Sequence, residues 1–204
     1  MKKFLKKTLF VLVALLFPLL AFADAKVGEK APDFNLTDTQ GKSRALSEFT
    51  GKIVVLEWFN EGCPFVKKHY ESGAMQALQK EFKSKGVVWL LVSSSAEGKQ
   101  GYHDAAGHNE RIKEWNIDSD GFLLDSKGDV GKAYGAKTTP HMFIISKEGN
   151  LVYAGAIDDK ASTDKDDLKD ANNYVVNALN EILEGKPVST PSTVAYGCSV
   201  KYAF

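Results

Sequence analysis

Cys63 and Cys198 are the only two cysteines in the 204 residues, and Cys63 has the more telling surroundings. The stretch Ile53 to His69 reads IVVLEWFNEGCPFVKKH. It predicts an apolar strand over Ile53 to Phe59, a sharp connection at Asn60, Glu61 and Gly62, the cysteine, and a helix that opens on Pro64. Proline is favoured at the first helical position, where its missing N–H leaves no bond unmade. Cys63 is therefore expected at a helix N-terminus, where free N–H groups and the helix dipole favour an anion. A thiol so placed loses its proton more readily, and the thiolate is the form that attacks. The plain alternative is a cysteine serving as a small buried hydrophobe.

The elements that must hold this sulfur follow in order. Phe34 to Leu36 reads as a short strand after Pro32, and Thr39 to Lys42 as a turn. Ile53 to Phe59 is nearly continuous in apolar residues, the pattern of a strand covered on both faces. A helix is expected from Pro64 to about Ser84, with Val66, Tyr70, Ala74, Ala77, Leu78 and Phe82 on one stripe; Gly73 inside it points to a kink or close packing. Val87 to Val92 is a second buried strand, which makes a right-handed βαβ unit. Ser93 to Gly107 is polar and reads as a loop at the carboxyl ends of the strands, where open α/β sheets place their sites. A helix from about Asn109 to Trp115, a short strand at Phe122 to Leu124 and a short helix at Val130 to Tyr134 come next. Met142 to Ser146 and Leu151 to Ile157 flank Lys147–Asn150 as a hairpin. Asp158 to Asp167 reads as a solvated charged loop without calcium-loop spacing. Leu168, Ala171, Val175, Leu179 and Ile182 mark a last helix, with Gly185 as its stop.

The chain opens with Lys2, Lys3, Lys6 and Lys7, an apolar run from Leu9 to Leu20, and Ala21-Phe22-Ala23. That is the layout of a secretory leader cleaved after Ala23; the run is short for a membrane span. The expected divisions are 1–23 leader, 24–185 one α/β domain, and 186–204 a tail carrying Cys198. Full length, the chain has 26 basic and 26 acidic groups. Without four leader lysines it is mildly acidic, which gives no electrostatic case for nucleic acid. No stable membrane span is expected after cleavage. Two cysteines in an exported chain permit one disulfide, in a periplasmic or extracellular setting.

The order of elements, a cysteine at the first helix and Thr139-Pro140 ahead of the hairpin together resemble the thioredoxin fold over about residues 26–185. The fold class expected is α/β, a central mixed sheet with helices on both faces. The resemblance implies a cis bond at Pro140, packed against the cysteine; such a bond marks a specific tight bend and removes a backbone donor from the edge that meets the reacting sulfur. More closely, the chain is similar to exported peroxiredoxin-like redoxins of the alkyl hydroperoxide reductase / thiol-specific antioxidant kind. Three motifs carry this: Asn60 to Pro64, Thr139 to Phe143, and Gly197 to Tyr202. The site residues implied are Cys63 as reactive thiol and Cys198 as resolving thiol, with Asn60, Pro64, Thr139 and Pro140 as substrate-binding residues.

Two departures shape the expected chemistry. In Cys63-Pro-Phe-Val66 the second cysteine of a C-x-x-C pair is a valine, so a mixed disulfide at Cys63 must be resolved from elsewhere, and Cys198 is the remaining candidate. In the peroxiredoxin pattern P-x-x-x-[TS]-x-x-C, the proline position is Leu56 and the hydroxyl position Asn60, which has donors and an acceptor but no hydroxyl. Arg44 and Arg111 are the only arginines, and neither is identified as a peroxide-steering group. The oxidant is then a peroxide or a disulfide, and an external thiol is the electron donor. Lys67, one turn beyond Cys63, is a candidate partner for the thiolate or a solvated lysine. The other readings are a binding or assembly module with a structural Cys63–Cys198 bridge, stabilised on the order of 4 kcal/mol in the loop-entropy model, and metal binding through Cys63 with His69 or His141. The ligand count for the last is poor, and no metal or cofactor is assigned. His103 and His108 are expected at the surface, and Trp58 either walls the thiol or fills the core.

Overall fold

The computed structural model describes residues 25–203; the expected leader, 1–23, lies outside the described residues. β1 (Asn35–Asp38) and β2 (Ser43–Ala45) form a hairpin around the expected turn. After a 3-10 turn at Leu46–Phe49 come β3 (Val54–Trp58), α1 (Pro64–Glu71), α2 (Ala74–Ser84), β4 (Val88–Ser93) and α3 (Ala105–Glu114). Then follow β5 (Gly121–Leu124), α4 (Asp129–Ala133), β6 (Thr138–Thr139), β7 (His141–Ile145), β8 (Leu151–Gly155), α5 (Tyr174–Leu183) and β9 (Cys198–Ser199).

Seven strands make a mixed sheet in the order β2-β1-β5-β4-β3-β7-β8. β3 runs parallel to β4 and antiparallel to β7. The alternation of a pleated strand sorts β3 between two cores. Val54, Leu56 and Trp58 pack with Phe34, Leu90, Tyr134 and Phe143. Val55 and Phe59 pack with Val66, Met75 and Phe82 from α1 and α2, and with Val175 and Leu179 from α5. Both faces are covered, which is why the strand is apolar throughout.

Three elements differ from the sequence expectation. The helix after Pro64 is two helices, because Ser72 ends α1 and Gly73 adopts φ +79° before α2, a left-handed turn that glycine takes without steric cost. α3 begins at Ala105, inside the expected loop, because the Asp104 carboxylate accepts from Gly107 N at 2.9 Å and caps it. α5 begins at Tyr174, capped by Asn173 on Val176 N, and Leu168 belongs to a separate 3-10 turn, Asp166–Lys169.

The register places the site. Trp58 lies opposite His141, so the carboxyl end of β3 and the amino end of β7 meet, and the Cys63 turn faces the Thr139–Pro140 loop. The tail then returns over this edge. Ala154 N on β8 donates to Pro191 O at 3.1 Å, Thr193 N donates to Ala154 O at 3.2 Å, and Ala156 N donates to the Thr193 hydroxyl at 2.9 Å. β9 next pairs antiparallel with β6, Thr139 opposite Cys198. Beyond it Val200 N donates to Lys137 O, and Ala96 N donates to Lys201 O.

Candidate functional site

The turn that presents Cys63 is braced from both sides. Cys63 N donates to Asn60 O at 3.0 Å, and Gly62 N donates to Asn60 Oδ1 at 2.9 Å. Asn60 Nδ2 reaches Gln100 O, while Gln100 Nε2 returns to Gly62 O. Asn60, read as a substrate contact, is thus placed as the brace of the turn. Cys63 is the N-cap of α1 with Pro64 at its first helical position, as the strand–turn–proline spacing predicts.

Glu61 ties the same turn to α3. Its carboxylate accepts from Arg111 Nε at 2.8 Å and lies 2.9 Å from His103 Nε2. Burial opposes its charge, but the Arg111 hydrogen bond and the charges of His103 and Arg111 outweigh burial and hold the carboxyl below its usual range. Arg44 is held by Asp38 and Glu48, and Arg111 by Glu61 and Glu114. Both arginines are bound to carboxylates rather than to the sulfur.

The Cys63 thiol donates to Thr139 O at 2.9 Å, and its sulfur lies 2.8 Å from that of Cys198. An S–S bond is about 2.05 Å long, so a small movement joins the two within one chain. The Thr139–Pro140 bond is cis, and both residues are buried. The Thr139 hydroxyl is buried and has no hydrogen-bond partner among the described residues. Burial, together with the hydrogen bond and charge of the Cys63 sulfur, pushes the Cys198 thiol up to about 11. Cys63 has no exposed surface, because the tail lies over it.

Lys67 is exposed, whereas its neighbour Lys68 is buried. Trp58 fills core between Tyr134 and Phe143 and donates to Ser94 Oγ at 3.0 Å. His108 is a correction: it is buried rather than at the surface, stacked on Phe122 at 4.3 Å, since the earlier start of α3 turns it inward. His141 accepts from Lys137 N through Nδ1, and burial lowers its pKa to about 4. His69 points at the tail, 3.3 Å from the Tyr196 hydroxyl. Asp158 is a second correction: it heads the charged stretch yet is buried, donor-bonded by Tyr196 and by Lys160 N. Among the described residues no group of three or more His, Cys, Asp or Glu side chains is placed to hold a metal ion. None of their helices is long and apolar enough to cross a membrane.

Sequence reasoning passed over Glu57. It sits on β3 with no exposed surface and accepts from Tyr70 OH and Trp89 Nε1, each at 2.8 Å. Burial drives its pKa up to about 7 against those hydrogen bonds. The available signal was one acid in an otherwise apolar strand.

Strand order and a cysteine at the β3–α1 junction define a thioredoxin-like α/β fold. The chain belongs to the AhpC/TSA family, whose model matches residues 27–154; Cys198 and its tail lie beyond that match. The thiol-disulfide oxidoreductase ResA of Bacillus thuringiensis is 29% identical over 127 residues, covering 62% of this chain and 68% of that one. Among solved structures, an uncharacterized conserved protein from Geobacillus kaustophilus superposes with a TM-score of 0.75 at 25% identity, over 87% of this chain and 93% of its own. The thioredoxin domain of a thiol-disulfide oxidoreductase from Bacteroides vulgatus gives 0.51 at 25% identity, over 64% and 89%.

Proposed function

We propose that this protein is a thiol–disulfide oxidoreductase in which Cys63 attacks and Cys198 resolves. The observation that carries this reading is the 2.8 Å between the two sulfurs at the N-cap of α1. The Cys63 thiolate attacks one sulfur of a substrate disulfide and expels the other as a thiolate. Cys198 gives up its proton and attacks the Cys63 sulfur, which releases the second substrate thiol and closes the Cys63–Cys198 disulfide. Two electrons pass to the substrate, and an external dithiol restores the pair. Thr139, Pro140 and Pro64 border the sulfur and form the substrate edge. The leader-like residues 1–23 support action outside the cytoplasm, in the periplasm or beyond the cell.

Membership of the AhpC/TSA family favours a second reading, an antioxidant role in peroxide reduction. There Cys63 attacks a hydroperoxide oxygen, the alcohol leaves, and Cys198 condenses with the sulfenic acid to release water. The carboxylate pairing of both arginines weighs against it. One experiment separates the readings: turnover of a protein disulfide and of a hydroperoxide, each with dithiothreitol as donor, in wild type, Cys63→Ser and Cys198→Ser. The first reading expects disulfide turnover to fall to the uncatalysed dithiothreitol rate in Cys63→Ser, and mixed disulfide to accumulate in Cys198→Ser when dithiothreitol is left out. Peroxide turnover without disulfide turnover selects the second. Unchanged turnover of both in Cys63→Ser ends both.

A further inference from the structure

α1 carries two adjacent side chains that are costly to bury. Lys68 is 1% and His69 2% exposed, and Asp158, just after β8, is 1% exposed. All three converge on one residue of the tail. The Tyr196 hydroxyl donates to Asp158 Oδ1 at 2.5 Å and lies 3.3 Å from His69 Nε2 and 3.5 Å from Lys68 Nζ. Its ring packs against Phe65, and the Lys68 ammonium stands 5.2 Å from its centre. The socket is closed on itself: Lys68 Nζ donates to Lys160 O at 2.7 Å, and Lys160 N donates to Asp158 Oδ1 at 2.9 Å.

Tyr196 stands two residues before Cys198. A second anchor lies beyond it, where Tyr202 fills space left open by Gly128 and Gly131 and donates to Ala136 O at 2.8 Å. Cys198 is therefore strung between two tyrosines, directly over a Cys63 that has no exposed surface. Of the two anchors, only Tyr196 is held by buried charged groups, so its hydroxyl is the tighter grip.

We propose that Tyr196 is the positioning residue of the resolving thiol. Seated in the Lys68–His69–Asp158 socket, it fixes the Cys198 sulfur on Cys63 and closes Cys63 to substrate until the tyrosine leaves. The positioning half rests on reading Cys63 and Cys198 as the reacting pair; the closure half does not. A substrate disulfide enters when the tail lifts, and the return of Tyr196 to its socket brings Cys198 back to resolve the mixed disulfide.

The test uses the full chain carrying Cys198→Ser, so that Cys63 is the only thiol, and follows its alkylation by iodoacetamide under native conditions. Tyr196→Phe keeps the ring and removes the hydroxyl; alkylation is expected to be about tenfold faster, and faster still in Tyr196→Ala. In chains that keep both cysteines, the fraction holding the Cys63–Cys198 disulfide at a fixed glutathione ratio falls in the same order. Equal alkylation rates in all three chains overturn the proposal, as does a lowered urea midpoint with both readouts unmoved, which marks a merely structural tyrosine. If wild type forms no Cys63–Cys198 disulfide in oxidised glutathione, the reacting-pair reading fails, while the alkylation series still decides whether Tyr196 closes the site.

Discussion

Gly197 crosses the Thr139 carbonyl so closely that a Cβ built on it would overlap that oxygen. The same oxygen accepts from the Cys63 thiol. Gly197 also has φ +137°, a conformation in which a side chain costs about 1–3 kcal/mol. Two independent constraints thus reserve the position before Cys198 for glycine. Gly197→Ala is expected to lift β9 from β6 and leave the α/β domain folded. After exposure to oxidised glutathione, mass mapping then finds more Cys63–glutathione mixed disulfide and less Cys63–Cys198 disulfide. An unchanged product ratio would show that the close approach does not matter for docking.

The raised pKa of Cys198, about 11, has burial as its first cause and the Cys63 sulfur as its next. Once Cys63 is tied up in a mixed disulfide, its hydrogen bond and charge no longer hold the proton on Cys198. The resolving thiol therefore ionises more easily at the step that needs it. Cys63→Ala removes the same two influences. Thiolate absorbance during a pH titration of that variant is expected to show a Cys198 midpoint below 11. A midpoint at or above 11 contradicts this account of the shift.

Arg111 and Glu61 fasten the cysteine turn to α3 through a largely buried pair, 2.8 Å from Nε to carboxylate. Arg111→Leu removes the charge and the guanidinium that stands 5.0 Å from the centre of the Trp115 ring. The expected stability loss is about 1 kcal/mol, read as a lowered urea midpoint. The expected loss in disulfide turnover is larger, about tenfold, because a misplaced turn carries the nucleophile out of line. Stability and turnover falling by equal factors would make Arg111 a general stabiliser instead.

The parts of this site that are local in sequence could be read from it. The apolar run of β3, the turn and Pro64 fix where Cys63 sits, and Thr139-Pro140 lies one residue ahead of a recognisable hairpin. The socket of Tyr196 could not be read. His69 is 127 residues away along the chain and Asp158 is 38 away, and no local pattern pairs them. Asp158 heads a charged stretch whose following residues are mostly solvent-accessible, so composition favoured a solvated loop. His108 differs from the surface expectation for another reason: the cap at Asp104 outweighs a polar, glycine-bearing composition and starts α3 early enough to turn the histidine inward. The break at Gly73 was visible only as a glycine, and the kink it suggested is a full left-handed turn.

Glu57 gives the sharpest dependence of stability on pH. Its pKa is 4.5 as a free group and about 7 in the folded chain, so the folded state binds the extra proton between those values. Stability from this group is fully present below pH 4.5 and is lost as pH rises through 7, by on the order of 3 kcal/mol. His69, His108 and His141 act in the opposite sense. Burial lowers each from 6.5 to about 4, so their contribution is present above 6.5 and is lost as pH falls toward 4. The wild-type profile mixes the two trends, and only a difference curve isolates the carboxyl. Glu57→Gln keeps one acceptor for the Tyr70 and Trp89 donors and cannot ionise. Urea unfolding at pH steps from 4 to 8 is expected to show the variant gaining on wild type between 4.5 and 7. A difference curve flat across that interval would mean that Glu57 is already ionised in the folded protein at low pH, with its donors Trp89, Tyr70 and Gln79 outweighing the cost of burial.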